Sequence, residues 1–138
     1  IILSLAGLKM LNLEKEAKEI FSDEQMLPAI GQGAIALQCR LDDQKTLDIL
    51  KMINDQESYC CIQAERALLE AIGGDCDTAV GGLAKLWNNK IILKSELFSS
   101  DGSKKFVAEG SGNFKEAEKI GYKVGKELLK KAGTDFKV

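Results

Sequence analysis

Two dipeptides, Asn88-Asn89 and Asp101-Gly102, constrain this chain more than any other feature. Each combines residues that tolerate positive φ, and each separates two runs of alternating polarity, so each reads as a tight hairpin turn. The runs are AVGGLAKLW, KIILKSELF and KKFVAEG. In the middle run Ile91, Leu93, Ser95 and Leu97 share one face, and Ile92, Lys94, Glu96 and Phe98 share the other. Three strands joined by two hairpins make an antiparallel meander, and its apolar face needs a cover.

The flanking segments supply helices for that cover. Asp42 and Asp43 are placed to cap a helix carrying Leu47, Leu50 and Ile53. Asn54 followed by Glu57 resembles a capping box for a second helix, with Cys61, Ala64, Leu68 and Ala71 on one side and Gly73-Gly74 at its end. Asn113, with Glu116 three residues on, caps a last helix whose stripe is Ile120, Val124 and Leu128. Gly121 and Gly125 allow that helix to approach a neighbour closely. The order α-α-β-β-β-α over residues 42–138 predicts an α+β domain with a three-stranded antiparallel sheet covered by helices.

Residues 1–41 have a different character. IILSLA reads as a short buried strand ended by Gly7, and a surface helix follows from Leu8 to Phe21, broken near Asn12. After Pro28, the only proline, Gly31-Gln32-Gly33 turns into a strand in which Ile35, Leu37 and Cys39 alternate with Ala36, Gln38 and Arg40. These pieces look like remnants of α/β domains built on a parallel sheet. The chain opens Ile1-Ile2-Leu3, without methionine and without a basic region before the apolar run. It is therefore expected to be an interior piece of a longer protein, with neither a signal peptide nor a membrane span.

Charge and composition remove several function classes. Nineteen basic residues face 21 acidic ones, which argues against a nucleic-acid surface. Only Arg40 and Arg66 are arginines, so this chain alone is poorly equipped to hold a polyanion. There is no histidine, and the four cysteines show no CxxC spacing, so zinc is not expected. Reduced thiols in a cytoplasmic protein are the simplest reading. The glycine pair of the last helix resembles a membrane dimer motif, but Lys115, Lys119, Lys123 and Lys126 exclude that setting.

The stretch GGDCDTAVGG, residues 73–82, carries the most informative cysteine. Asp75, Asp77 and the negative end of the preceding helix all oppose a thiolate at Cys76. Such a thiol is a poor nucleophile and a poor redox sensor. A thioether anchor has no such difficulty, because no thiolate is left for the acidic field to destabilise. An incidental loop cysteine in an interaction or regulatory domain is the alternative, and a thiol enzyme is a third, disfavoured by the absence of histidine. Cys39 and Cys61 read as core residues. Glu65-Arg66 reads as a pair making surface or inter-domain ion bridges.

Taken together, LPAIGQGAIALQCR, AERALLEAIGGDC and DTAVGGLA resemble the porphobilinogen deaminase (hydroxymethylbilane synthase) family, and the resemblance spans essentially the whole chain. It implies a transferase of tetrapyrrole (haem) biosynthesis that joins four porphobilinogen molecules, releasing ammonia through a cationic azafulvene. It further implies a dipyrromethane cofactor on a thioether to Cys76, with Leu3, Ser4, Gln32 and Gly33 beside the cofactor or its pyrrole rings. By the same resemblance residues 1–28 end domain 2, 29–41 form a crossover strand belonging to domain 1, and 42–138 form the cofactor-bearing domain. The family's catalytic aspartate and most of its arginines fall in an earlier region, so no catalytic residue is assigned here and the chain alone is expected to be inactive. Two departures stand out: Met10 occupies a usual arginine position beside Lys9, and Ala79 stands where the family has proline. The implied partners are porphobilinogen and the N-terminal domains of the same protein. A dimer through residues 1–41 is a further expectation.

Overall fold

A computed structural model describes residues 1–74 and 78–136. Its α+β unit follows the sequence pattern closely. Helix α2 spans Gln44–Ile53 and α3 spans Gln56–Ile72; strands β1 (Val80–Trp87), β2 (Lys90–Phe98) and β3 (Lys105–Asn113) follow, then helix α4 (Ala117–Ala132). The sheet is antiparallel in the order β1-β2-β3, with Ala84 opposite Leu93 and Leu93 opposite Gly110. Asn88 and Asn89 both take positive φ, as the predicted tight turn requires.

Alternation along β2 sorts the sheet faces. Ile91, Leu93, Ser95 and Leu97 are fully buried under α3 and α4, together with Leu68, Val124 and Leu128. Each of the large apolar side chains among these contributes about 1.5–3 kcal/mol by leaving water. Ser95 is satisfied in this apolar layer because its hydroxyl donates to the Ala108 carbonyl at 2.7 Å. The other sheet face stays open, with Trp87 70% exposed and Ile92 and Val107 also exposed.

The two covering helices touch backbone to backbone. A Cβ at Gly121 would run into the Ala64 carbonyl oxygen, and one at Gly125 would lie 2.7 Å from the Leu68 carbonyl oxygen. The glycine pair of α4 is therefore the means by which α4 seats against α3. Gly73 ends α3 at φ 70°, the left-handed position glycine adopts without strain.

Several sequence expectations need correction. The cap of α3 is Asp55, whose carboxylate accepts from the Ser58 N–H at 2.7 Å, not Asn54. Asp43 caps α2 as expected, but that helix buries no residue, with Leu47 and Leu50 half-buried and Ile53 exposed. Among the described residues the helical cover is thus α3 and α4. The last helix begins as a 3₁₀ turn, Phe114–Glu116, in which the Lys115 N–H donates to the Asn113 side chain and the Phe114 N–H to the Asn89 carbonyl.

The largest departures lie in residues 1–41. No strand forms over residues 1–6; a short helix, α1 (Leu5–Met10), capped by the Ser4 hydroxyl, takes in the last two residues of the predicted strand and the start of the predicted helix. An apolar run becomes a strand only beside another strand, and among the described residues none lies there; a helix satisfies its own backbone. Asn12, at φ 56°, breaks the chain as expected, and a 3₁₀ turn, Glu14–Glu16, replaces the rest of the predicted helix. Residues 34–40 likewise form no strand, Ile35 and Leu37 are exposed, and Cys39 is only half-buried rather than core.

Two outcomes follow from this architecture. Gly121→Ala is expected to cost about 1–3 kcal/mol or more, because the helix pair must separate to admit the methyl group; urea unfolding measures it. The second concerns acid. Asp101 accepts from the Ser99 hydroxyl and from the Ser103 N–H and hydroxyl, which holds its carboxyl at about 2, below the usual 3.8. A depressed carboxyl adds stability that is full above the ordinary value and is lost as pH falls from about 4 through about 2. Asp101→Asn should flatten the acid limb of the thermal midpoint over that window.

Candidate functional site

Glycine chemistry shapes the approach to the loop that joins α3 to β1. The Gly74 N–H donates to the Leu69 carbonyl, and a Cβ at Gly74 would sit 2.8 Å from Leu69 Cδ1 and 3.2 Å from Thr78 Oγ1. The loop therefore closes tightly at its base. Cys76 itself lies outside the described residues, with Asp75 and Asp77. On the exit side the Ala79 carbonyl accepts from the Phe98 N–H at 3.0 Å, tying the end of the loop to β2. Proline at Ala79 would keep that carbonyl, so this tether does not depend on the family's usual residue.

Strand β1 is an edge strand, and its outer N–H groups need acceptors. The Gly82 N–H finds the Pro28 carbonyl at 2.9 Å, and Ala29 bridges to Gly81. Residues 28–31 thus lie along β1, with Ile30 packed against the core. Gly81 and Gly82 make the seat: a Cβ at Gly81 would press on Leu27 Cβ at 3.2 Å, and one at Gly82 would clash with Ile30 Cδ1.

The next outward N–H, of Ala84, donates to Glu65 Oε1 at 2.9 Å, while the Gly31 N–H donates to Glu65 Oε2 at 2.9 Å. Glu65 is 4% exposed, and among the described residues its carboxylate is in no ion pair. One side chain therefore joins α3, β1 and the turn at Gly31. This corrects the expectation that Glu65 and Arg66 make ion bridges; Arg66 is exposed, also without an ion pair among the described residues. Glu65 was missed as a site residue. The available signal was its position on the apolar stripe of α3, between Cys61 and Leu68, where an isolated charge demands a buried partner.

The cysteines of α3 also differ from expectation. Cys60 is the buried one and Cys61 is half-buried. Burial, and then the nearby Glu65 carboxylate, push the Cys61 thiol upward, against a smaller opposing effect of the Leu86 N–H. It is not a thiolate nucleophile.

Gln32 and Gly33 form the exposed tip of the docked turn, and open space surrounds the position of a Cβ at Gly33. Leu3 and Ser4 are exposed too, but they belong elsewhere: Ser4 caps α1, and α1 packs chiefly on the 3₁₀ turn after it. Met10 is exposed at the end of α1, beside exposed Lys9. Beyond the turn, an open groove of about 1160 Å³ runs between residues 33–37, α3 and α4, with Arg66, Lys119 and Lys123 alongside Glu70 and Glu118. Among the described residues no cluster suited to a metal ion occurs, and no helix is long and apolar enough to cross a membrane.

Residues 59–130 match the family described as porphobilinogen deaminase, C-terminal domain, and residues 1–48 match that described as porphobilinogen deaminase, dipyromethane cofactor binding domain. Proteins named porphobilinogen deaminase from Coxiella burnetii, strains Dugway 5J108-111 and CbuK_Q154, are 41% identical over 136 residues, or 99% of this chain and 44% of each relative. One of the same name from Sorangium cellulosum strain So ce56 is 42% identical over 134 residues, 94% of this chain and 45% of the relative. The chain belongs to the porphobilinogen deaminase family, and it spans less than half the length of these relatives.

Removing the Glu65 carboxylate leaves the Ala84 and Gly31 N–H groups without their acceptor. Glu65→Ala is expected to cost about 2–5 kcal/mol of unfolding free energy, well above a surface substitution; chemical denaturation of the variant beside the parent chain checks this.

Proposed function

We propose that this chain is the cofactor-bearing portion of a cytoplasmic porphobilinogen deaminase, an enzyme that condenses four porphobilinogen molecules into hydroxymethylbilane with release of ammonia. Cys76 is its anchor, through a thioether to dipyrromethane. The observation that carries this reading is the junction of two matched regions. Residues 28–31, inside the segment matching the cofactor-binding domain, dock along β1, the strand that the Cys76 loop enters.

The residues present fit one side of such a group. Gln32 offers an exposed amide, and Gly33 leaves room for a flat ring against the turn. Leu3 and Ser4, at the start of α1, would meet the group from the segment that precedes the turn. When bound, dipyrromethane supplies a free pyrrole α-carbon for chain growth. The chain's own residues hold its thioether at Cys76, orient the first rings at Gln32 and Gly33, and keep the anchor loop closed between Gly74 and Thr78. Met10 offers no charge for a pyrrole carboxylate, which removes a contact worth about 1.5–3 kcal/mol if nothing replaces it.

In this reading residues 1–28 end an α/β domain, 29–41 cross over to another, and 42–138 form the cofactor domain. The exposed apolar residues Ile2, Leu3, Leu11, Ile35 and Leu37 are surface for the remaining domains to cover. Within the family resemblance the catalytic carboxylate lies outside these 138 residues, so the chain alone does not turn over.

The test is the intact mass of the complete parent protein beside its Cys76→Ser variant. An adduct of two linked pyrrole units, lost on substitution, is the expected result. An unmodified mass after incubation with porphobilinogen would overturn the anchor and leave an interaction domain. Purified as 138 residues, the chain should form no hydroxymethylbilane; measurable product would refute its dependence on the remaining domains.

A further inference from the structure

Glu65 does more than close the edge of β1. Resting on the reading of Cys76 as anchor, we propose that Glu65 is a positioning residue for the pyrrole chain, holding the Gln32-Gly33 turn at a set distance from the cofactor loop. Three observations carry this. First, the two carboxylate oxygens serve different segments: Oε2 takes the Gly31 N–H and Oε1 takes the Ala84 N–H, both at 2.9 Å. Second, Glu65 stands on the same helix that ends at the Gly73 cap and opens into the anchor loop. A helix rises about 1.5 Å per residue, so roughly 12 Å of α3 runs from Glu65 to the loop base at Gly73. Third, hydrogen bonding to the α+β unit stops at this point. Gly31 is held, whereas among the described residues the Gln32 N–H bonds only back to the Ala29 carbonyl, and residues 33–39 carry no hydrogen bond to α3, β1 or α4.

Glu65 is therefore the last fixed point before the exposed tip. Glutamine cannot stand in fully for the buried carboxylate. Glutamine has one acceptor oxygen, and its NH₂ would meet a backbone N–H where the second oxygen now accepts. Losing one of the two bonds frees the turn while leaving Cys76, Gln32 and Gly33 in the chain.

The experiment uses the complete parent protein with Glu65→Gln, and Ile120→Val as a control for general destabilisation on the far helix. Intact mass reports the adduct on Cys76, and rapid-quench mass spectra with saturating porphobilinogen report each elongation step. The expected result is a normal adduct in Glu65→Gln with elongation slowed about tenfold, or roughly 1.4 kcal/mol of transition-state positioning, while the control elongates normally. Elongation at the parent rate, or slowed equally in the control, would overturn the positioning role while leaving the anchor intact. An unmodified parent protein would overturn both readings. Should Glu65→Gln fail to fold, amide exchange in the unaltered protein decides: the Gly31 N–H should exchange far more slowly than that of Gly33, and equal rates would refute the proposal.

Discussion

The open edge of β1 is the constraint on which the rest of this structure depends. An edge strand presents N–H groups that must find acceptors or remain a template for unwanted pairing. Here the acceptors are a backbone carbonyl at Pro28 and a buried carboxylate at Glu65. Because Glu65 also takes the Gly31 N–H, covering the edge brings a segment from far upstream into the α+β unit. The glycines at 81 and 82 belong to the same solution, since side chains there would exclude Leu27 and Ile30.

A second close approach fixes the other side of α3. Gly121 and Gly125 bring α4 against the Ala64 and Leu68 carbonyls, so the helix carrying Glu65 is held between the sheet and α4. Glu65 is thus directed by packing on both sides of its helix. A longer side chain on α4 would displace α3 and with it the carboxylate that β1 and the turn share. The small residues on three elements serve one geometric end, the placement of α3 and of the loop at its C-terminus.

The family relationship gives this geometry its setting. Residues matched to the cofactor-binding domain and residues matched to the C-terminal domain meet along β1, next to the loop that carries Cys76 in sequence. Acidic flanks at that cysteine suit a permanently alkylated sulfur better than a thiolate.

Local and periodic signals determined the α+β unit from the sequence alone. Asn88-Asn89, the alternation of β2, the Gly73 cap and the glycines of α4 act through residues close in the chain or through a repeating pattern. Tertiary structure alone decided the rest. IILSLA and AIALQC have strand-like composition, yet a strand exists only beside another strand, so neither forms one, and the end of the first enters a helix capped by Ser4. Asp55 rather than Asn54 caps α3 because capping depends on where the first turn begins, which packing sets within a residue. The role of Glu65 was the least legible in sequence: its partners lie 34 residues before it and 19 residues after it, and only the folded chain brings both N–H groups to one carboxylate.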